Sequence, residues 1–322
     1  MKSLTVVVAA NDTYLSGAMV TFLSCINNCN QDTSLDFRLL HDGVTRERLD
    51  KFEHCISPFL GNKHKLSFHQ PPHDFLGKFA LYGRMQSKLA YARLFIADMF
   101  KDCDTALYID SDIIVQKDVS RLCNIDLGDI PLAAVLDSRA TFARGCGEMV
   151  VWREVGCDEN AAFFNSGLML LNLKQWRKEN LIGRCVEIAQ KYKGQFVQND
   201  QELLNIVACN RWVELPGSYN FHVILYPNKP RIRHFDSNHV NYHCIKEFKP
   251  WFIGHNTNCE IVNLFYSYLD RTEWELYCPD NIRFTSKRRR WIYAQRWCRM
   301  KIYDVVYMVG SALEGREMLR RA

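Results

Sequence analysis

The sequence contains no pair of cysteines in a C-x-x-C pattern, although 13 cysteines are scattered along its 322 residues. Zinc knuckles and dithiol redox centres typically use that spacing, so neither is indicated. The number of cysteines is odd, and most of them lie in apolar or helical patterns. Both features argue against the disulfide framework of a small secreted protein. A reducing cytoplasm is therefore the expected compartment.

Long hydrophobic runs, low-complexity segments and fixed-period repeats are also missing. The longest uncharged run of the C-terminal segment, Val305 to Leu313, is far too short to span a bilayer. The apolar run after the N-terminus ends at Asn11, too early for the core of a signal peptide, and is interpreted as a first buried strand. With 48% hydrophobic residues, the chain is expected to form one large domain with a tail.

Acidic residues are scarce at the C-terminal end, so that the net charge of +5 is unevenly distributed. Residues 281–322 contain 11 Lys and Arg against 3 Asp and Glu, whereas residues 1–280 contain 30 against 33. Aromatic residues such as Trp291 and Trp297 lie among the basic ones. This composition is typical of a helix on an anionic membrane surface, and a solvated helix packed on the domain is the alternative. Nucleic acid is not an expected partner, because the rest of the chain is slightly acidic and lacks a nucleic-acid-reading motif.

Strand-like and helix-like segments alternate along the chain. Hydrophobic periodicity predicts strands at 4–10, 35–40, 65–69, 106–109, 132–136 and 167–173, and helices at 15–26, 45–56, 87–100, 182–192 and 201–208. This alternation favours an α/β fold with a mainly parallel central sheet and helices on both faces. Residues 211–260 are predicted to form loops and short strands that fold back over the site. Ligands of such sheets bind at the carboxyl ends of the strands, where NDTY (11–14) and the DSD of 110–112 are expected to share one crevice.

Two carboxylates, Asp110 and Asp112, interrupt the otherwise apolar segment LYIDSDIIV. Unpaired carboxylates in apolar surroundings are costly and are normally compensated. Oxygen ligands suit Mg²⁺ or Mn²⁺, and a cation held by this pair would leave positions for the phosphate oxygens of a substrate. The D-x-D pattern also occurs in solvated acidic turns and in phosphatases with an aspartate nucleophile, which here would be Asp110. The position of the motif after several strand–helix units argues against the phosphatase.

Four further segments are candidates for binding chemistry. Arg93 lies on a buried helical face and requires a carboxylate or phosphate partner, which one of the site aspartates could also supply. Gly167 precedes a buried strand and would let the backbone approach a ligand, with an ordinary turn as the alternative. The acidic residues of 199–202 begin a helix and could be a simple N-terminal cap. His243 and Lys249 offer an imidazole for a metal and an amine for a phosphate, although a lone histidine is more often structural.

Taken in order, these segments resemble the family 8 retaining glycosyltransferases, in particular the bacterial lipopolysaccharide α-galactosyl- and α-glucosyltransferases. The resemblance covers roughly residues 4–251 and the segments VVVAANDTY, KLAYARLFIAD, LYIDSDIIV, VLDSR, FFNSGLMLLNLKQWR, NDQELLN and HCIKEFKPW. The most specific of them is FFNSGLMLLNLKQWR. The basic, aromatic tail is also similar to the membrane-associating tails of those enzymes.

The resemblance implies a GT-A fold over residues 1–260, a UDP-sugar donor and a divalent cation, Mn²⁺ or Mg²⁺. By position, it implies that Asp110, Asp112 and His243 hold the metal against the donor diphosphate. The residues implied to bind the donor are Ala10, Asn11, Thr13, Tyr14, Arg93, Asp110, Ser111, Asn165, Lys246 and Lys249. The residues implied to be catalytic at the donor sugar are Asp137, Asp200 and Gln201.

The implied activity is transfer of galactose or glucose to a saccharide or glycolipid acceptor, of lipopolysaccharide or another surface glycan. Residues 261–322 would form a basic, helical segment that holds the protein on the inner face of the plasma membrane. Two positions depart from the family: Asn11 replaces an acidic residue, and Lys246 replaces the glycine of H-x-x-G-x-x-K-P-W. The diphosphate loop is therefore expected to differ in shape. A UDP-sugar-binding protein with a decayed site is the alternative that these positions leave open.

Overall fold

The computed structural model describes residues 2–81, 87–138, 149–158, 160–193, 195–196, 198–223, 240–245, 249–251 and 259–274. The strands of these ranges are β1 (Lys2–Ala9), β2 (Thr33–Leu40), β3 (Lys65–His69), β4 (Thr105–Ile109), β5 (Ile113–Ile114), β6 (Leu132–Leu136), β7 (Phe164–Asn172), β8 (Trp212–Leu215), β9 (Phe221–His222) and β10 (Tyr242–His243). The helices are α1 (Leu15–Asn28), α2 (Arg46–Leu60), α3 (His73–Gly77), α4 (Ile96–Met99), α5 (Met149–Glu154), α6 (Leu173–Lys178), α7 (Leu181–Lys191), α8 (Asn199–Val207) and α9 (Cys259–Leu269).

Within the described ranges, seven strands form the central sheet, in the order β3-β2-β1-β4-β7-β6-β8. The neighbouring pairs are parallel except for β7, which is antiparallel to both β4 and β6. The predicted α/β fold with a mainly parallel sheet is confirmed. The direction of β7 was not predicted, because every residue of this strand is buried. A strand covered on both faces has no alternating pattern that would reveal its neighbours.

Helices cover both faces of the sheet, as alternate residues of β1 show. Val6 and Val8 belong to one buried core, which includes α1, α2 and α9, whereas Val7 belongs to a second core that includes α6, α7 and α8. Burial on both sides explains the continuous apolar character of LTVVVAA (4–10) in the sequence.

The predicted helix at 87–100 is only partly regular. Residues Lys88–Phe95 form a 3₁₀ helix, and α4 then adds one α-helical turn. The side chain of Arg93 donates from Nε to the carbonyl oxygen of Ala90 (3.0 Å). This carbonyl is one that a regular α-helix would pair with the main chain four residues later. Arg93 thus binds a main-chain carbonyl group of its own helical segment as well as the site.

A second, small sheet brings the distant His243 to the end of β4. Its order is β5-β10-β9, and β10 is antiparallel to β5 with His243 opposite Ile113. Ile113 directly follows Asp112, so the pairing of four residues sets the histidine beside the carboxylates. Short strands were expected within 211–260, but the strands with which they pair were not predicted.

Helix α9 begins next to the predicted domain boundary at residue 260. Phe265 and Trp274 are buried in the same core as α1. The division at residue 260 stays a prediction, since residues 281–322 lie outside the described residues. Lys246, the predicted residue of the diphosphate loop, lies outside them too. Among the helices of the described ranges, none is long and apolar enough to cross a bilayer.

Candidate active site

The carboxylates of Asp110 and Asp112 lie in a tight turn between β4 and β5. The N–H of Asp110 donates to the carbonyl oxygen of Gly167 (2.7 Å), and the N–H of Ile113 donates to the carbonyl oxygen of Asp110 (3.1 Å). The turn packs on α1 at Gly17, where a Cβ would lie 2.2 Å from the carbonyl oxygen of Ser111. This bend is what allows carboxylates two positions apart to face one point.

The imidazole of His243 completes this group. Its Nε2 lies 3.2 Å from Asp112 Oδ1 and 3.6 Å from Asp110 Oδ2. One ligand atom from each of the three residues lies within 4.8 Å of the others. His243 is buried against Gly167, where a Cβ would lie 2.4 Å from the His243 Cε1. The glycine is thus required for the approach of the histidine ring, where the sequence had suggested the approach of a ligand.

The donor set fits a divalent cation. Two carboxylates and an imidazole are ligands that Mn²⁺ accepts, and Mg²⁺ also binds carboxylates. On the opposite side of the ring, His243 Nδ1 contacts Asn220 Oδ1 (2.8 Å). A neutral imidazole that donates from Nδ1 directs the Nε2 lone pair at the two carboxylates. This lone pair and the negative carboxylates repel one another, and a cation bound between Nε2 and the carboxylates would remove the repulsion.

Lys249 is buried against the same group. Its Nζ contacts Asp112 Oδ2 (2.5 Å) and the carbonyl oxygen of Cys244 (3.1 Å), and lies 5.5 Å from the centre of the Tyr14 ring. Burial opposes ionisation of the Asp112 carboxyl, but Lys249 outweighs it and lowers the pKa of Asp112. Burial likewise acts against the ammonium, but Asp112 outweighs it and raises the pKa of Lys249. Both groups are therefore charged at neutral pH.

Arg93 connects the metal side of the site to α8. It contacts Asp110 Oδ1 through Nη2 (2.9 Å) and Asp200 Oδ2 through Nε (3.1 Å). Its Nη1 donates to the carbonyl oxygen (2.8 Å) and to Oγ (3.0 Å) of Ser166. The Tyr108 ring lies beneath the guanidinium, 4.5 Å away, and its hydroxyl donates to Asp110 Oδ1 (2.8 Å). The partner expected for Arg93 is thus a pair of carboxylates.

Asp200 is unusual among these carboxylates because it holds its proton more tightly. Burial raises its pKa to about 6, with a further rise from Asp110 that Arg93 partly offsets. One guanidinium shared by two carboxylates leaves the more buried one incompletely compensated.

Gln201, Asp137 and Asn165 form one buried, hydrogen-bonded group beside β7. Asn165 Nδ2 donates to Asp137 Oδ2 (3.1 Å) and to Gln201 Oε1 (3.0 Å). Gln201 Nε2 donates to the same Asp137 oxygen (3.1 Å), and the N–H of Ser166 donates to Gln201 Oε1 (3.1 Å). The orientation of the Gln201 amide is therefore fixed by a backbone donor.

The residues after β1 lie at the neighbouring strand end. Ala10 is buried, with its N–H on the carbonyl oxygen of Leu40 (2.9 Å). Asn11 Oδ1 is shielded from solvent and has no hydrogen-bond partner among the described residues. Thr13 and Tyr14 belong to a short 3₁₀ helix that leads into α1. The Tyr14 ring meets Trp251 edge-on at 5.9 Å, and burial, opposed by Lys249, raises the pKa of its hydroxyl.

The described site residues that the sequence singled out thus lie at one edge of the sheet, although their roles stay predictions. Tyr108, Ser166 and Asn220 were not predicted from the sequence as site residues. Tyr108 and Ser166 stand inside quoted segments, and their neighbours Asp110 and Asn165 could have drawn attention to them. Asn220 lies in an aperiodic stretch that gives no local signal.

Comparisons with known proteins agree with this geometry. The sequence model of "Glycosyl transferase family 8" matches residues 5–253. The "probable glycosyl transferase Gly" of Streptococcus gordonii is 36% identical over 134 residues, which are 42% of this chain and 17% of that protein. General stress protein A of Bacillus subtilis is 24% identical over 288 residues, 84% of this chain and 94% of that protein. The chain thus spans only a small part of the streptococcal relative.

A solved structure shares the fold. The galactosyltransferase LgtC, in complex with donor and acceptor sugar analogs, matches with a TM-score of 0.69 and 24% identity, covering 84% of this chain and 97% of that one. The predicted GT-A architecture is thereby confirmed.

Proposed function

Because the chain belongs to glycosyl transferase family 8, and is thus a glycosyltransferase, we propose that it moves galactose or glucose from a UDP-sugar to a saccharide or glycolipid acceptor with retention of configuration. The observation that carries this proposal is the convergence of Asp110, Asp112 and His243, with Lys249 in contact, at the carboxyl end of β4. The carboxyl ends of the strands are where sheets of this kind bind their ligands.

The leaving-group side of the reaction needs stabilisation of negative charge on a diphosphate. Asp110, Asp112 and His243 would hold a Mn²⁺ or Mg²⁺ ion, which supplies Lewis-acid stabilisation when bound. Lys249 adds a fixed positive charge that the low-dielectric surroundings strengthen. Its Nζ donates to Asp112 and to the carbonyl oxygen of Cys244, which leaves the third N–H of the ammonium for a phosphate oxygen.

On the sugar side, the contacts of Gln201 favour attack from the face of the departing phosphate. Gln201 Oε1 already accepts hydrogen bonds from Asn165 and Ser166, so its lone pairs are engaged. The amide is therefore a poor nucleophile for a covalent intermediate. Asp137 and Asp200 would stabilise the positive charge that develops at the anomeric carbon, and the leaving phosphate would accept the acceptor's proton.

The base of the donor would lie against Asn11 and Tyr14. The amide oxygen of Asn11 is a hydrogen-bond acceptor of the kind that suits the N3–H of uracil, as is the carboxylate of other family members. The replacement at Asn11 is thereby compatible with UDP binding. The effect of Lys246 on the diphosphate loop stays a prediction.

The acceptor and the location of the protein rest on the sequence alone. We propose a saccharide of lipopolysaccharide or another surface glycan, reached from the inner face of the plasma membrane. Residues 281–322, with their excess of Lys and Arg, would hold the protein on anionic lipids.

The other candidate functions have less support. A decayed site would be expected to lose charged partners first, yet the carboxylate, ammonium and guanidinium groups are mutually paired. In an aspartate-nucleophile phosphatase, Asp110 would attack phosphorus, but its Oδ1 accepts hydrogen bonds from both Arg93 and Tyr108. Such bonds lower the nucleophilicity of the carboxylate.

The test is a panel of UDP-sugars with Mn²⁺, monitored by release of UDP. Asp112→Asn is expected to reduce release by at least about 100-fold, since even partners of metal ligands are worth 10–100-fold. The matched control is Asp126→Asn, at an exposed aspartate whose Oδ1 accepts from the nearby Gly128 N–H. Undiminished release by the Asp112 variant would contradict the assignment. Hydrolysis of simple phosphomonoesters would support the phosphatase alternative. Binding of a UDP-sugar without turnover would support a UDP-sugar-binding protein with a decayed site.

A further inference from the structure

We propose that Asn220 is a positioning residue that holds His243 in the tautomer whose Nε2 lone pair faces Asp110 and Asp112. The inference deepens the metal site of the proposed function and rests on it. It follows from a chain of hydrogen bonds that begins at a backbone group, whose direction is known without seeing any hydrogen atom.

The chain begins at the N–H of Gly167, which can only donate. It donates to the side-chain oxygen Oδ1 of Asn165 (2.9 Å). The other end of this amide must therefore be the NH₂ group, which faces Asp137 Oδ2 and Gln201 Oε1. Both of these atoms are acceptors, so the orientation of Asn165 satisfies all of its contacts.

The next link is Asn220, which approaches the same Asn165 oxygen to 2.7 Å. Two oxygens cannot hydrogen-bond to each other without a proton between them, so the approaching atom is Asn220 Nδ2. The carbonyl oxygen of Asn220 consequently points the other way, where it lies 2.8 Å from His243 Nδ1. Since a carbonyl oxygen only accepts, Nδ1 of His243 carries the proton.

This proton position is the one a metal ligand needs. With the proton on Nδ1, the neutral ring presents its Nε2 lone pair at 3.2 Å from Asp112 Oδ1 and 3.6 Å from Asp110 Oδ2. The reversed tautomer would place an N–H where the cation is to bind. Asn165, Asn220 and His243 are each 4% exposed, so water has little access to replace a lost link.

The same chain joins the two halves of the site. Asn165 contacts Gln201 and Asp137 with its NH₂ group and Asn220 with its oxygen. Asn220 contacts the metal ligand His243 directly but reaches Gln201 only through Asn165. Its loss is therefore expected to weaken cation binding more than it disturbs the position of Gln201.

The first test measures binding of Mn²⁺ alone, by electron paramagnetic resonance of the free ion. Asn220→Ala is expected to bind Mn²⁺ about 10–100-fold more weakly than the wild type. The matched control is Asn172→Ala, a buried asparagine with three hydrogen bonds at the opposite end of β7, which is expected to retain wild-type affinity. Equal affinity of the Asn220 variant and the wild type would overturn the proposal.

A double-mutant cycle separates action through His243 from general damage. If Asn220 acts through the ring, Asn220→Ala combined with His243→Ala binds Mn²⁺ no more weakly than His243→Ala alone. Losses that multiply in the double variant would show a merely structural role and overturn the proposal.

The last test needs no variant at position 220 to fold. In protein labelled with ¹⁵N-histidine, the neutral His243 ring, assigned by the absence of its resonances in His243→Ala, is expected to show a slowly exchanging proton on Nδ1 and none on Nε2. A His243 with Nδ1 unprotonated would overturn the proposal. This readout requires neither metal nor turnover, so it is independent of the proposed transferase activity: wild-type protein that fails to bind Mn²⁺ but shows the Nδ1 proton would contradict the metal site and not the hydrogen-bond chain.

Discussion

Replacing Gly167 by alanine is expected to displace the His243 ring and so to disable the metal site. A Cβ at this position would lie 2.4 Å from Cε1 and 2.8 Å from Nδ1 of His243. Non-bonded carbon atoms sit about 3.5–4.0 Å apart, so one partner must move by about 1 Å or more. Strand β7 is buried throughout and paired with β4 and β6, so the ring is the part that moves.

The magnitude follows from that displacement. Overpacking of a buried site costs about 1–3 kcal/mol of stability. A displacement of about 1 Å at a catalytic group costs on the order of 100-fold in rate. Gly167→Ala is therefore expected to remain folded, to lose about 100-fold in metal-dependent UDP release, and to bind Mn²⁺ more weakly.

The assay compares Mn²⁺ affinity, UDP release and urea unfolding of this variant with those of Gly77→Ala. Gly77 is exposed, and a Cβ added to it would meet no described atom within 4 Å, so its replacement serves as a glycine-to-alanine control. Wild-type Mn²⁺ affinity in Gly167→Ala would refute the claim that the glycine exists to admit the histidine.

Three further outcomes are expected. Burial raises the pKa of Asp200 from 3.8 to about 6, so the folded protein binds the proton of this carboxyl more tightly than the unfolded chain does. The free energy of unfolding should therefore fall by up to about 3 kcal/mol as pH rises from about 4 through 6. Asp200→Asn should remove this pH dependence in urea titrations. Parallel pH profiles of the two proteins would contradict it. Deletion of residues 281–322 should abolish sedimentation with anionic vesicles and preserve UDP release; unchanged sedimentation would argue against the membrane role. Gly17→Ala, whose Cβ would lie 2.2 Å from the Ser111 carbonyl oxygen, should lower the free energy of unfolding by about 1–3 kcal/mol, and an unchanged urea midpoint would show that the turn can yield.

The elements with a strong local period were predicted well. The strand predicted at 65–69 coincides with β3, and the strand predicted at 132–136 coincides with β6. The helix at 87–100 was predicted less well, because residues Lys88–Phe95 form a 3₁₀ helix, whose period of about 3.0 residues per turn differs from that of an α-helix. The strands β5, β9 and β10 are two residues long, too short for any period to be recognised.

The residues of the site also divide into those that the sequence predicted and those that it did not. Asp110, Asp112 and Arg93 could be identified because charged residues in apolar segments are unusual and need partners. Asn220 could not, because its importance lies in contacts with Asn165 and His243, 55 and 23 residues away. An asparagine in an irregular stretch carries no trace of such contacts.

By itself, the sequence determined the α/β architecture, the family resemblance and the residue types of the site, since burial, periodicity and charge are written locally along the chain. Only the tertiary structure decided which partner each charge has, why position 167 is glycine, and which nitrogen of His243 is free to bind a metal. Those properties depend on hydrogen bonds between segments far apart in the chain, and the direction of a hydrogen bond is defined only when both of its partners are in place.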